Sequence, residues 1–268
     1  MVKDILKLTL IGLSLFAAGF LLKSVGLVQS SANASDDVHL MFTTSDGLVL
    51  HAWENEAVAD SLKTAKPKLA FLLPMMAKTH ESYEPFRERL NQIGYATIAF
   101  DLRGHGMSNK LHDSTISFSD MPDDAFGRIP NDIAEFFADF RAKHPDDYDY
   151  DNVIVIGASI GANTAGILLG NMWVSRSVLL SPGADYRGLQ PGNVMLDEKR
   201  ALIKPIYIAS SNNDTYSAES SKWLFENYAG RKVMKKYPGD AHGTDILHSV
   251  VDADSELLDW LLNLPKDK

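Results

Sequence analysis

The chain has 268 residues, 45% of them apolar, which is enough for one large core. Its formal net charge of −9 speaks against nucleic-acid binding through a basic surface. No cysteine is present, which excludes disulfides, a Cys-ligated metal and a thiol nucleophile.

At the N-terminus, Lys3 and Lys7 precede an apolar run over residues 8–22. Lys23, a weaker apolar stretch and Ser31-Ala32-Asn33-Ala34 follow. A positive start, an apolar middle and an Ala-x-Ala end predict a secretory signal peptide cleaved after Ala34. The mature chain is then extracytoplasmic, periplasmic or secreted. The alternative is an uncleaved membrane anchor through residues 8–28, close to the roughly 20 residues that a span needs. Without a cysteine the segment is not a lipoprotein signal.

Residues 38–44 and 48–53 read as strands around Asp46-Gly47, a favoured two-residue hairpin turn. Residues 55–67 are polar and loop-like. Residues 68–74 form a buried strand. A helix is predicted over 80–93, with Tyr83, Phe86, Leu90 and Ile93 on one face and Gly94 at its end. Residues 95–100 form a strand ending in Asp101, and Arg103-Gly104-His105-Gly106 a loop. Residues 109–125 are polar and irregular. A long amphipathic helix runs over 129–144, with Pro130 tolerated in its first turn. A strand at 153–157 and a helix at 162–169 come next. Then follow a strand at 177–181, a connector over 182–196 and a short helix to 203. A strand at 205–210, a helix at 218–228, a strand at 232–237 and a last helix at 245–262 complete the chain.

This alternation predicts an α/β fold: a mostly parallel twisted sheet with helices on both faces and an antiparallel hairpin at one edge. No repeat, low-complexity tract or linker divides residues 36–268, so they read as one domain behind the segment 1–34. Only about twenty residues join the strand ending at Ser181 to Pro205, too few for a large cap domain, so the site should be rather open.

The pentad Gly157-Ala158-Ser159-Ile160-Gly161 stands between a buried strand and a helix. Its glycines permit a strained turn where a side chain would strike the neighbouring helix or strand. Such a string alone arises by chance; the flanking strand and helix give it weight. The plain alternative is a βα turn whose serine only caps the helix.

A nucleophilic serine needs a base within hydrogen-bond reach and an acid to orient that base. Asp214 lies in the loop after the strand 205–210, and His242 in the loop after the strand 232–237. Both belong to the sheet edge at which open α/β sheets bind ligands. Taken singly, Asp214 caps the next helix and His242 is a surface histidine. Asp240 and Asp185 are rival acids, Asp240 being better suited to shaping its turn.

Two backbone N–H groups should face the developing oxyanion. Ile160, the residue after the serine, supplies one. The loop Pro74-Met75-Met76-Ala77-Lys78-Thr79-His80 supplies the other, through Met76 or else its neighbour Met75. The methionines line an acyl pocket or pack in the core. Lys78 and His80 meet a polar substrate end or stay solvated. His105, between two glycines, reads as structural.

In its pentad, in Asp101-Leu102-Arg103-Gly104-His105-Gly106-Met107-Ser108, in Asp214 and in Gly239-Asp240-Ala241-His242-Gly243, the chain resembles the α/β-hydrolase superfamily. It looks closest to small lid-poor esterases, dienelactone-hydrolase-like and serine-aminopeptidase-like members. The resemblance covers residues 38 to about 264. It implies a serine hydrolase of carboxylic esters or related acyl bonds, with Ser159, Asp214 and His242 as triad. No metal or organic cofactor is implied, and the expected partner is a small ester or acyl substrate. A peptidase, amidase or thioesterase on the same triad, or a non-catalytic binding protein of this fold, are the alternatives. Two departures stand out. The usual His-Gly after the third strand is Pro74-Met75 here, and dienelactone hydrolases proper use a cysteine that this chain lacks.

Overall fold

The computed structural model describes residues 37–58, 65–197 and 204–263. The predicted signal peptide or anchor, the cleavage point at Ala34 and the short helix before residue 203 lie outside them. No described helix is long and apolar enough to cross a membrane.

The described residues form one ten-stranded mixed sheet. In chain order the strands are β1 (Val38–Thr43), β2 (Leu48–Asn55), β3 (Lys68–Leu73), β4 (Tyr95–Asp101), β5 (Lys110–Leu111), β6 (Ser114–Thr115), β7 (Asp149–Ala158), β8 (Arg176–Leu180), β9 (Ile206–Ser211) and β10 (Lys232–Tyr237). Their spatial order is β10-β9-β8-β7-β3-β4-β2-β5-β6, with β1 on β2. From β10 to β4 every pairing is parallel. Those around β1, β2, β5 and β6 are antiparallel.

The helices are α1 (Phe86–Gln92), α2 (Asp123–Phe126), α3 (Ile129–Lys143), α4 (Ile160–Leu168), α5 (Gly192–Met195), α6 (Thr215–Asn227), α7 (Asp245–Ser249) and α8 (Ala253–Asn263). They cover both faces because successive strand side chains point to opposite sides. Leu69, Phe71 and Leu73 of β3 join one core with Ile133, Phe136 and Phe137 of α3 and Ala162 of α4. Ala70 and Leu72 join the other core with Phe86 and Leu90 of α1 and Leu257, Leu258 and Leu261 of α8. All seven residues of β4 are buried, which explains why it is apolar apart from Thr97 and Asp101.

After β3 the chain first adds β4 on one side and later β7 on the other. The carboxyl ends of β3 and β7 therefore flank a topological switch point, where sheets of this kind leave a ligand crevice. Among the described residues no large cap covers that edge.

Four local expectations are corrected. The hairpin loop has three residues, Ser45 to Gly47, not two. The Thr44 N–H donates to the Leu48 carbonyl, and the Thr44 hydroxyl accepts the Leu48 N–H. Asp46 is turned toward Arg103, with Nη1 2.9 Å from Oδ2. Burial pushes the Asp46 carboxyl up, but hydrogen bonds from Arg103 and Thr44 outweigh it and hold it at about 2.

The predicted helix 80–93 is a 3-10 turn (His80–Tyr83) followed by α1. Pro85 has no N–H to continue a helix and holds Glu84 extended. The polar stretch 109–125 holds a small hairpin, β5–β6, and α2. The last helix is split into α7 and α8 around Val250 to Asp252. Val250 is extended and Asp252 has φ +64. Two adjacent β-branched residues propagate a helix weakly, and an aspartate tolerates the left-handed conformation.

Candidate active site

The site is built on the turn between β7 and α4. Ser159 has φ +53 and ψ −114, a conformation that costs a non-glycine residue roughly 1–3 kcal/mol. The surrounding contacts hold it there. The Ser159 N–H donates to Leu180 O at the end of β8, 2.8 Å away. A Cβ on Gly157 would lie 2.0 Å from Gly161 O, and one on Gly161 would lie 2.1 Å from Leu73 O. The glycines thus let α4 press against β7 and the end of β3. Lys204 donates to Leu169 O and Asn171 O at the far end of α4, a favourable place for a cation.

Ser159 occupies the N-cap position of α4, yet its hydroxyl makes no capping hydrogen bond. It is 6% exposed, just past the carboxyl end of β7. Asp214 repeats the pattern: it is the N-cap residue of α6 and its carboxylate caps nothing. That carboxylate instead accepts a hydrogen bond from His242 Nδ1, 2.7 Å from Oδ2. Because an ionised carboxylate only accepts, this contact places the ring proton on Nδ1 and leaves Nε2 free as a base.

The loops carrying Asp214 and His242 are zipped together beyond the strands. Asn212 N–H donates to Tyr237 O, and Asn213 N–H to Gly239 O. The His242 loop is tied to the end of β8 by Gly243, whose N–H donates to Ser181 Oγ, 3.0 Å away. Gly243 has φ +59, and a Cβ there would lie 2.6 Å from Met75 Sδ and 3.3 Å from Ala158 Cβ. Only a glycine lets this loop meet both the turn after β3 and the end of β7. Among the described residues no hydrogen bond joins Ser159 to His242; such contacts commonly tighten only when substrate binds.

Ile160 is the first residue of α4, so its N–H has no acceptor within the helix. Met76 follows β3 beside it, half-buried against the core, while Met75 is 7% exposed and packs in the opposite core. The turn between them and His80 is stapled by Asp101. One carboxylate oxygen accepts both the N–H and the Nδ1–H of His80, and the other accepts the Met107 N–H. Burial pushes the Asp101 carboxyl up, but these hydrogen bonds outweigh it and hold it below its ordinary value. His80 is therefore a bracing residue, stacked on Trp53. Lys78 is exposed on the rim of a cleft of about 320 Å³ that Gly104, His105 and Phe118 also line and Ser159 does not. His105 is buried, stacks on Phe118 and hydrogen-bonds Arg103 O through Nδ1, a structural place.

The rival acids fall elsewhere. Asp240 is exposed. Asp185 accepts from the Gly188 N–H and from Gln190 within its own connector.

Tyr186 is the neighbour that sequence reasoning missed. Its ring stands edge-on to that of His242, centroids 6.4 Å apart, and its hydroxyl lies 3.0 Å from Ser217 Oγ. Burial pushes its pKa up, while the hydroxyls of Ser217 and Ser159 pull the other way. Nothing in the local sequence marks this tyrosine out from an ordinary loop aromatic.

Residues 65–188 match the family described as "Serine aminopeptidase, S33", a segment that contains Ser159 and stops short of Asp214 and His242. No curated protein matches the sequence. Among solved structures, the chain is similar to a thermostable carboxyl esterase from Bacillus coagulans, with TM-score 0.63 and 14% identity over 84% of this chain and 96% of that one. It is also similar to Est1E from Butyrivibrio proteoclasticus, solved with ferulic acid bound, with TM-score 0.60 and 20% identity over 83% and 99%. The acylaminoacyl peptidase of Pyrococcus horikoshii gives TM-score 0.67 and 13% identity over 91% of this chain but 44% of that longer protein. At these identities the likeness is one of fold.

Proposed function

We propose, on the premise that this chain is an α/β-hydrolase, that it is a serine hydrolase cleaving carboxylic esters through an acyl-enzyme. The observation that carries this reading is the 2.7 Å contact between Asp214 and His242, beside a serine held in a strained turn. Neither Asp214 nor Ser159 spends its side chain on capping the helix it begins. In this reading Ser159 Oγ attacks the acyl carbon and passes its proton to His242 Nε2. Asp214 orients the imidazole and stabilises its charged form. The tetrahedral oxyanion is held by the N–H groups of Ile160 and Met76, worth about 10²–10³ in kcat for one such donor. His242 then protonates the leaving oxygen, and water releases the acid by the same steps in reverse order.

Ester is preferred over peptide because the Bacillus coagulans structure is named a carboxyl esterase, and among the described residues no large cap stands over the site to grip a peptide. The N-terminal pattern supports an extracytoplasmic location after cleavage at Ala34, or anchoring through residues 8–28.

A panel of short p-nitrophenyl esters, thioesters and aminoacyl p-nitroanilides tests the reading. The esters should be turned over, with kcat/KM at least about 10²-fold above the anilides, a gap of roughly 3 kcal/mol. Preference for the anilides would make the protein a peptidase, and turnover of none of them would leave the non-catalytic reading standing.

A further inference from the structure

We propose that Tyr186 is a catalytic residue of this site, its hydroxyl binding the leaving-group oxygen during acylation and the attacking water during deacylation. The inference rests on the serine-hydrolase reading above and assigns a role that neither the triad nor the oxyanion hole fills.

The oxygen that departs in acylation must meet two conditions. It is bonded to the carbon that Ser159 Oγ has attacked, and it receives the proton carried by His242 Nε2. It therefore sits between Ser159 and the open edge of the histidine ring. The water that later attacks the acyl-enzyme occupies the same place. Tyr186 borders it: its ring is perpendicular to that of His242, centroids 6.4 Å apart, and its connector is tied through the Gly183 N–H to Asn163 of α4, the helix that Ser159 begins.

The placement is built, not incidental. Gly183 leaves the room: a Cβ there would lie 2.6 Å from the Tyr186 ring. Asn163, one turn along α4 from Ser159, pins both arms of the connector; its Nδ2 donates to Leu189 O, and its Oδ1 accepts the Gly183 N–H. Arg187 fastens the tip to Met121 O and Asp123. Tyr216 packs edge-on against the Tyr186 ring. Ser217 Oγ, 3.0 Å from the phenol oxygen, can donate to it, so the phenol proton is free to point at the reacting oxygen. A half-buried phenol keeps that proton at neutral pH. In acylation the bond from Ser159 Oγ to the acyl carbon forms and that carbon's bond to the leaving oxygen breaks; in deacylation the water oxygen bonds to the carbon and the Ser159 ester bond breaks. The transferred proton moves through His242, and Tyr186 donates a hydrogen bond without losing its own proton.

Tyr186→Phe keeps the ring that packs on Gly183 and removes only the hydroxyl. For an alkyl ester, kcat should fall about tenfold, the effect of one neutral hydrogen bond, with KM within twofold. For a p-nitrophenyl ester, whose leaving group needs no proton, acylation should be little changed while deacylation slows. A rapid burst of about one equivalent of p-nitrophenol should then precede a slow steady state. Ser217→Ala should change both readouts in the same direction by a smaller factor, and it carries the test if Tyr186→Phe does not fold. Alkyl-ester kcat within twofold of wild type and no new burst would overturn the role of Tyr186. Failure of the wild-type protein to turn over any ester would instead sink the hydrolase reading beneath it.

Discussion

Replacing Ser159 by alanine should lower ester turnover by roughly 10⁴-fold or more while the protein stays folded. The size follows from the loss of the nucleophile: positioning and oxyanion donors then act on a water that no residue activates well. His242→Ala should cost about as much, and the double variant little more than either single one, because the groups act as a unit. The fold should survive because the Ser159 hydroxyl caps nothing and alanine keeps the Cβ. Its positive φ is strained for alanine as for serine, so the thermal midpoint should move by only a few degrees. Steady-state kinetics beside a thermal melt check both halves. Turnover within tenfold of wild type would remove Ser159 from the chemistry.

The largest structural effect is expected at Gly161→Ala. On helix propensity alone, alanine inside α4 would be favoured by about 1 kcal/mol. The contact decides otherwise. A Cβ at Gly161 would stand 2.1 Å from Leu73 O and 2.7 Å from Pro74 O, both backbone atoms that no rotamer change can move aside. The helix would have to back away from β3. Overpacking of this kind costs about 3 kcal/mol at the upper end of its usual range, which lowers the midpoint by roughly 6–12 °C for a domain of this size. It would also shift the turn after β3 that carries Met76, so the folded fraction should lose activity as well. Gly239→Ala is the matched control. That position has φ +89 with open space around it, so only backbone strain is added. Circular dichroism melts of the two variants separate crowding from strain. Equal midpoints for Gly161→Ala and wild type would mean that α4 does not press on the end of β3.

What was legible in the sequence is what short-range chemistry dictates. The glycines at 157 and 161 declare a close approach within five residues. Asp214 announces itself because it follows a buried strand and stands in a polar loop, and His242 because it stands in the polar, glycine-flanked loop after the last strand. Parallel pairing of β3, β4 and β7 to β9 follows from strands buried on both faces; β10, with three lysines, is the edge strand and carries no such signal. The features that were not legible depend on partners far along the chain. Asp46 sits in a three-residue loop and bonds Arg103, 57 residues away. Arg103 is itself committed to Asp132 of α3, at 2.5 and 2.8 Å. Tyr186 is set by Asn163, Ser217 and Arg187's grip on Met121, none of which a local pattern connects to it. The break before α8 lies between. Its β-branched pair is visible in the sequence, but so is an apolar spacing that fits one continuous helix. Pro85 was the plainer signal, since a proline six residues into a predicted helix marks its interruption.

The central claim is that Ser159 is a nucleophile activated by His242. Its most direct test is treatment of the folded protein with a fluorophosphonate, followed by mass analysis of its peptides. One equivalent should add covalently to the peptide holding Ser159, with esterase activity lost in step, and His242→Ala should abolish the reaction. A folded protein that takes up no probe, or that takes it up at another residue, would contradict the account.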